Sequence, residues 1–216
     1  MSAIHGEQVR TLEEHGIEPG RSTNWWGMIF FICSEALIFA NLIAAYLYLE
    51  IRGNTRVGGA TPWLLPKTGL HLDFTYPLIN TFILLASSIP AHFAGRAARN
   101  GDKKGMALGL VGAIVLGAIF LGGQVYENTN LYSDGFTITY KTFGSSFFTL
   151  TGFHGLHVTI GLIFLLICLI RTLRGDFSAQ KHFAVQAGEM YWHFVDGVWV
   201  FVFSTVYLLP LLMLRA

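Results

Sequence analysis

Five long apolar stretches, separated by short polar segments, dominate the sequence. They cover approximately residues 25–51, 75–98, 104–128, 142–173 and 183–215. A helix needs about 20 mostly apolar residues to cross the hydrocarbon core of a bilayer, and each stretch is long enough. A helix is also the only open-ended element that satisfies its own backbone hydrogen bonds in lipid. The sequence therefore predicts an all-α, polytopic membrane protein built as a bundle of five transmembrane helices.

The composition agrees with a membrane location and restricts the kinds of partner. Only 12% of the 216 residues are charged, against about 25% in an average soluble domain. Lys and Arg number 14 and Asp and Glu number 13, so the chain lacks the basic surface that binds nucleic acid. Cys33 and Cys168 lie in apolar stretches without C-x-x-C spacing. We expect both cysteines to be small buried hydrophobic residues.

The chain divides into a polar amino-terminal segment, residues 1–24, and one transmembrane domain, residues 25–216. The segment lacks the apolar core of a cleavable signal peptide, so we expect the first helix to act as the insertion signal. The amino-terminal segment and the connections around residues 96–104 and 171–181 together carry nine Lys and Arg, against five in the other three segments. Because cytoplasmic loops carry the excess of basic residues, the amino terminus is predicted to be cytoplasmic.

A stripe of small residues runs along the third predicted helix. Gly105, Gly109, Ala113 and Gly117 recur every four residues, which places them on one face of the helix. Small residues allow the backbone of a neighbouring helix to approach closely. The stripe therefore predicts a tightly packed helix pair.

Glu35 is an acid in the middle of an apolar helix. It lies about ten residues into the first stretch, roughly 15 Å deep at about 1.5 Å per residue. An ionisable side chain there costs at least about 2.5–3.5 kcal/mol, and no basic residue is near it in sequence. We expect Glu35 to be protonated or readily protonated. The residues alone leave open a proton-handling, carbodiimide-reactive carboxyl and a structural acid held by one hydrogen bond.

Histidines and acids recur in the last two helices. Glu189, His193 and Asp196 are spaced by four and three residues, which forms one stripe, and His154 and His157 lie one turn apart. Di-metal sites in bundles use Glu-x-x-His pairs from two helices and a Glu from two others, which this pattern does not match. We therefore interpret these residues as an interhelical hydrogen-bond network rather than as ligands of a metal ion or of a bis-histidine haem. Three polar residues near helix ends are expected to reach headgroups or water: His92, Gln124 and Glu127.

Four longer strings contain most of these polar residues. They are WWGMIFFICSEALIFA from residue 25, PLINTFILLASS from residue 77, GSSFFTLTGFHGLHVTIG from residue 144 and YWHFVDGVWVFVFSTVY from residue 191. In this order, from about Trp25 to Pro210, they resemble subunit III of the haem-copper cytochrome c oxidases. The resemblance implies a non-catalytic core subunit without haem or copper of its own, which stabilises subunit I and supports proton uptake.

The resemblance also implies roles for particular residues. The carbodiimide-reactive carboxyl of the family's S-E-A motif falls on Glu35. The G-F-H-G-L-H and W-H-F-V-D strings fall on a structural polar network: His154, His157, Trp192, His193 and Asp196. Where the family often has Glu, this chain has Gln186, and Glu189 one turn on is expected to replace it in part. Basic residues after the fourth helix imply phospholipid headgroup ligands: Arg171, Arg174 and His182. No catalytic, cofactor-binding or metal-binding residue is implied.

The implied partners are oxidase subunit I as the main contact, subunit II, and membrane phospholipid, with haem and copper held by the partner subunits. Five helices match a shorter bacterial form of the family, which lacks the two initial helices that form one wall of the family's lipid cleft. This form predicts a multi-pass protein of the bacterial plasma membrane in the aerobic respiratory chain. Glu35 and the string Tyr191–His193 favour the cytochrome c branch over the quinol-oxidase branch.

Four alternatives stay open from the sequence. Within related complexes, they are subunit III of a quinol oxidase and an accessory subunit of nitric oxide reductase. From other classes, they are a stand-alone metal or haem enzyme of the membrane and a small transporter with Glu35 as its coupling carboxyl.

Overall fold

In a computed structural model, the described residues form five long helices. The structure describes residues 22–56, 74–139 and 141–209, with side chains at 22–49, 74–139 and 144–209. The helices are α1 (Thr23–Arg56), α2 (Thr75–Arg99), α3 (Lys103–Ser133), α4 (Lys141–Arg174) and α5 (Phe183–Phe203). A π-helical turn, Ser204–Leu208, continues α5. The predicted all-α membrane bundle is confirmed.

The described helices lie close to the predicted stretches, with small differences at the ends. α1 continues to Arg56 and α3 to Ser133, each five residues beyond the predicted end. The predicted extension of the last helix to residue 215 lies, past residue 209, outside the described residues. The same is true of residues 1–21 of the polar amino-terminal segment.

Four helices in the described ranges are long and apolar enough to cross a membrane by themselves. These spans are Thr23–Leu49, Thr75–Arg99, Lys103–Ser133 and Gly144–Arg174. α5 falls short because Gln186, Glu189, His193 and Asp196 lower its mean hydropathy. α5 packs against α1, α2 and α4, so the bundle gives its polar side chains protein partners.

The outer surface of the bundle carries large apolar side chains, and large aromatic side chains lie in its core. Leu108, Phe30 and Leu173 are 76%, 69% and 73% exposed, and such surfaces occur where a protein meets lipid or a partner. Trp192 and Trp199 of α5 are fully buried. Their indole N–H groups donate to the side chains of two α2 residues, Ser87 at 2.8 Å and Thr81 at 2.9 Å. These two bonds fix α5 in register with α2.

The small-residue stripe lies where the helices approach most closely. A Cβ added to Gly109 would lie 2.6 Å from the carbonyl oxygen of Pro90 and 2.7 Å from the backbone nitrogen of Ala94, both on α2. A Cβ on Gly117 would lie 2.6 Å from the Trp192 ring. The prediction of a tightly packed helix pair is confirmed, and α2 and α3 form it.

Two basic connections meet at one end of the bundle. A Cβ built on Gly101, between α2 and α3, would lie 3.5 Å from Ala179, between α4 and α5. One built on Gly175 would lie 3.1 Å from Lys103 Nζ. We call this the basic end, after its Lys and Arg residues: Arg96, Arg99, Lys103, Lys104, Arg171, Arg174 and Lys181. The side of the membrane that it faces stays a prediction.

Two expectations from the sequence are wrong. Cys168 is buried as expected, but Cys33 lies on the exposed surface of α1. Gln124 and Glu127 are buried rather than solvated, at 3% and 9% exposure. The reason is that α3 continues to Ser133, which places both residues deeper in the bundle, where Glu127 Oε1 accepts a 2.9 Å hydrogen bond from the Tyr207 hydroxyl.

Candidate functional site: two polar clusters between the helices

Glu35, the acid in the middle of α1, contacts His157 of α4. Glu35 Oε2 lies 2.8 Å from His157 Nε2, and the two side chains are 18% and 9% exposed. The residues are 122 positions apart in the chain. The basic partner that is absent from the local sequence is therefore supplied by the fold.

The second ring nitrogen of His157 determines how many protons this pair holds. Nδ1 lies 2.7 Å from the carbonyl oxygen of Phe153, and because a carbonyl oxygen can only accept, Nδ1 carries a hydrogen. A hydrogen bond between Nε2 and Glu35 then requires one further proton. That proton lies either on Nε2, beside a carboxylate, or on the Glu35 carboxyl, beside a neutral imidazole. The pair is neutral in total in both states.

Aromatic side chains enclose the Glu35–His157 pair. The Phe39 ring packs edge-on against the His157 ring, with 4.8 Å between centroids. The Tyr191 hydroxyl lies 3.4 Å from the His157 carbonyl oxygen, and Phe31 stacks on the Tyr191 ring. Over residues 23–49, α1 is otherwise mostly exposed, so these contacts fix it to α4 and α5.

His154 lies one turn before His157 and does not join the pair. Its ring is fully buried and packs on Trp199, with 4.6 Å between centroids. Phe39 and Phe120 present their edges to it. Neither ring nitrogen has a hydrogen-bond partner within the part of the chain that the structure describes.

A second polar group, here called the α2–α5 cluster, lies between α2 and α5. Its members are Ser88, His92 and Arg99 from α2, and Glu189, His193 and Asp196 from α5. Glu189 lies at its centre: Oε1 is 2.8 Å from His92 Nδ1 and 4.0 Å from His193 Nε2. The other carboxylate oxygen, Oε2, lies 3.7 Å from Arg99 Nη1.

Ser88 links His193 to Asp196 within the α2–α5 cluster. Its hydroxyl donates a hydrogen bond to Asp196 Oδ2, and the same oxygen lies 3.0 Å from His193 Nδ1. Asp196 is 3% exposed. The Ser88 oxygen has only one hydrogen, so it accepts the hydrogen bond from His193 while donating its own hydrogen to Asp196.

The structure divides the predicted polar network among separate places. The stripe of Glu189, His193 and Asp196 faces α2, His157 pairs with Glu35, His154 packs in the aromatic core, and Trp192 bonds Ser87. Ser88 and His92 were not among the predicted site residues. Their spacing of four residues on α2 matches that of Glu189 and His193 on α5, and this pattern could have revealed them.

The three predicted lipid ligands lie at or next to the basic end. Arg171 and Arg174 occupy the last turn of α4, and His182 is the residue that immediately precedes α5. Arg171 Nε lies 3.4 Å from Asp176 Oδ2, and its guanidinium group lies 4.8 Å above the Phe177 ring.

Comparison with known proteins identifies the family of this chain. The profile of the family described as cytochrome c oxidase subunit III matches residues 10–210. The chain belongs to the cytochrome c oxidase subunit III family. Cytochrome c oxidase subunit 3 of Thermostichus vulcanus is 40% identical over 184 residues, which cover 85% of this chain and 86% of the relative. The Sus scrofa protein is 40% identical, covering 84% and 68%. The Latimeria chalumnae protein is 38% identical over 199 residues, covering 91% and 74%.

Membership in the subunit III family defines the general role of the chain. It is a non-catalytic subunit of a haem-copper oxidase, part of a complex with other oxidase subunits. The family predicted from the four sequence strings is confirmed. Family membership favours this role over the stand-alone metal enzyme and the small transporter.

Proposed function

We propose that this subunit III packs against subunit I of a cytochrome c oxidase, stabilises it during turnover, and sustains proton uptake through the Glu35–His157 pair. Haem and copper, in this proposal, belong to subunit I and to subunit II. The observation that carries the proposal is the 2.8 Å contact between Glu35 and His157 in the membrane-spanning part of the bundle. Because the contact holds one proton that either group can carry, it is suited to exchange protons without leaving a lone buried charge.

The environment of the pair supports a role in proton transfer. Glu35 is 18% exposed, so its carboxyl lies near the outer surface of the bundle, where a side chain of a neighbouring subunit can reach it. His157 Nδ1 is held by the Phe153 carbonyl, which fixes the imidazole in one orientation. A fixed base beside a reachable carboxyl is the arrangement that repeated protonation requires.

We also propose an electron donor for the complex and a membrane in which this chain lies. The Glu35 motif and the string Tyr191–His193 support reduced cytochrome c, rather than quinol, as the donor of the complex. The Thermostichus vulcanus relative is matched over 86% of its length, which supports a bacterial plasma-membrane protein. We place the basic end in the cytoplasm by its Lys and Arg content. At that end Arg171, Arg174 and His182 are proposed to hold phospholipid headgroups.

Carbodiimide labelling of the purified oxidase tests the pair directly. Glu35→Gln removes the acid with little change in volume, so labelling of this chain should be lost and activity should decline within fewer turnovers. Glu127→Gln is the matched control, because it removes another buried carboxyl without touching the pair, and it should keep both properties. Unchanged labelling and unchanged activity over many turnovers in Glu35→Gln would refute the proposed role.

A second variant separates proton handling from a structural role. His157→Gln keeps a hydrogen-bonding amide beside Glu35 but removes the group that can take up the shared proton, so activity should decline within as few turnovers as in Glu35→Gln. A purely structural contact predicts that Gln, which can still bond Glu35, keeps the wild-type activity over many turnovers. The subunit assignment itself is tested by mild detergent extraction. The chain should co-migrate with a haem-bearing partner, whereas a lone chain that absorbs in the Soret region would support a stand-alone haem enzyme.

A further inference from the structure

We propose that His92, Glu189 and His193 form a binding site for a divalent transition-metal cation, with Zn²⁺ as the ion that fits best. One ligand atom from each residue lies within 4.8 Å of the other two. Bonds of about 2.0–2.1 Å in a tetrahedron separate ligand atoms by about 3.3–3.5 Å. Small side-chain rotations therefore bring the three atoms onto one ion.

The backbone on both sides of the site is firmly positioned. Glu189 and His193 are four residues apart on α5, so they project from the same face in successive turns. His92 faces them from α2, and α2 is fixed to α5 by the bonds that Trp192 and Trp199 make with it. Two rigid helices present the ligands, which is the arrangement that holds metal geometry best.

The hydrogen bonds of Ser88 orient His193 for metal binding. Ser88 donates to Asp196, so it accepts from Nδ1 of His193 at 3.0 Å. The lone pair of a neutral His193 is then on Nε2, which lies 4.0 Å from Glu189 Oε1. Two acceptors that face one another call for a cation or a proton between them. Histidine ligands of metals usually donate their other N–H to an acceptor in this way.

Access to the site also fits a cation, and Glu189 keeps one carboxylate oxygen for it. Arg99 lies 3.7 Å from Glu189 Oε2 and leaves Oε1 directed at the two histidines. The side chains of His92 and His193 are 47% and 41% exposed, so water or a partner subunit can supply a fourth ligand. Glu189 lies six residues into α5, about 9 Å from its start at about 1.5 Å per residue. An ion can therefore reach the site from the basic end.

The donor set identifies the class of ion. Two imidazoles and one carboxylate suit Zn²⁺, Cu²⁺ and Ni²⁺ and are poor ligands for Mg²⁺ or Ca²⁺. Three protein ligands with one open position form a common zinc arrangement. Bound Zn²⁺ would link α2 to α5 directly and would replace the proton that otherwise lies between Glu189 and His92.

Zinc binding to the purified oxidase complex tests the site. The complex is treated with a chelator, titrated with ZnCl₂ and desalted, and zinc per complex is measured by mass spectrometry. Glu189→Gln and His92→Gln should each weaken zinc binding at one site by at least about tenfold. His182→Gln is the matched control, because it removes an imidazole near the same end outside the cluster, and it should leave the zinc content unchanged.

Two further measurements separate a metal site from a structural cluster. The zinc X-ray absorption spectrum of the wild-type complex should show imidazole ligands that are lost in His92→Gln. Ser88→Ala should weaken binding by about 10- to 100-fold through the orientation of His193. Zinc should also raise the melting temperature of the wild-type complex and not that of Glu189→Gln, which keeps the test valid if a variant is less stable.

Equal zinc content and equal spectra in the wild type and in the Glu189→Gln and His92→Gln variants would overturn the proposal. So would the absence of bound zinc in the wild-type complex, because the α2–α5 cluster is then a hydrogen-bonded ion pair only. Glu35→Gln should leave zinc binding unchanged, so this proposal and the proposed role of Glu35 succeed or fail separately.

Discussion

The close contact between α2 and α3 predicts the effect of one methyl group. In Gly109→Ala, the new Cβ would lie 2.6 Å from the Pro90 carbonyl oxygen, 2.7 Å from the Ala94 nitrogen and 2.9 Å from the Ala94 Cβ. The first two atoms belong to the α2 backbone and cannot rotate away as a side chain can. The helices must therefore move apart by several tenths of an ångström, which loosens the packing on both sides of Gly109.

Two opposing terms determine the size of the effect. Overpacking of a tightly filled interface costs about 1–3 kcal/mol. Replacing Gly by Ala inside a helix returns about 0.5–1 kcal/mol. We expect the free energy of unfolding to fall by about 1–2 kcal/mol, which lowers the ratio of folded to unfolded chain by roughly 5- to 30-fold.

Equilibrium unfolding of the purified chain in mixed detergent micelles measures this change. Gly122→Ala on the same helix is the control, because a Cβ there meets nothing within 4 Å, and it should leave stability unchanged or raise it by up to about 1 kcal/mol. A Gly109→Ala variant as stable as the wild type, or equal destabilisation of both variants, would show that the close α2–α3 contact at Gly109 does not limit stability.

Two further predictions follow from the core and the surface. Ser87→Ala removes the acceptor of the buried Trp192 indole N–H and should cost about 1–3 kcal/mol of unfolding free energy. Ser34→Ala, whose hydroxyl bonds the Phe31 carbonyl oxygen of its own helix, should cost no more than about 0.5 kcal/mol, and equal losses in the two variants would contradict this account. A maleimide should label Cys33 of the folded chain while Cys168 reacts only after unfolding, and equal native labelling rates would show that Cys168 is not buried.

The sequence predicted the helices and the tight packing because both depend on local patterns. Apolar length is sufficient to recognise a transmembrane helix, and the steps of four from Gly105 to Gly117 mark a helix face. Family strings placed Glu35, His157 and Asp196 in a polar setting. All of these features are encoded within a few turns of one helix.

The partners of the polar residues depend on how distant segments meet, and the sequence did not provide them. Glu35 pairs with a residue 122 positions away, and His92 contacts Glu189 at a separation of 97 positions. A periodic pattern predicts which residues share one face of a helix. It does not predict which other helix packs against that face. Cys33 illustrates the same gap, because an apolar neighbourhood in sequence does not reveal that α1 leaves this side uncovered.

The separation of Glu35 and His157 along the chain has a consequence for biosynthesis. Ribosomes add about 5–20 residues per second, so the 122 positions between the two residues correspond to roughly 6–24 s of synthesis. During that interval α1 is already made, but its carboxyl lacks the His157 imidazole. The first helix must therefore wait at the insertion machinery, or in the bilayer as a neutral acid, until α4 arrives. Docking of α1 through this pair is thus a late step in the assembly of the subunit.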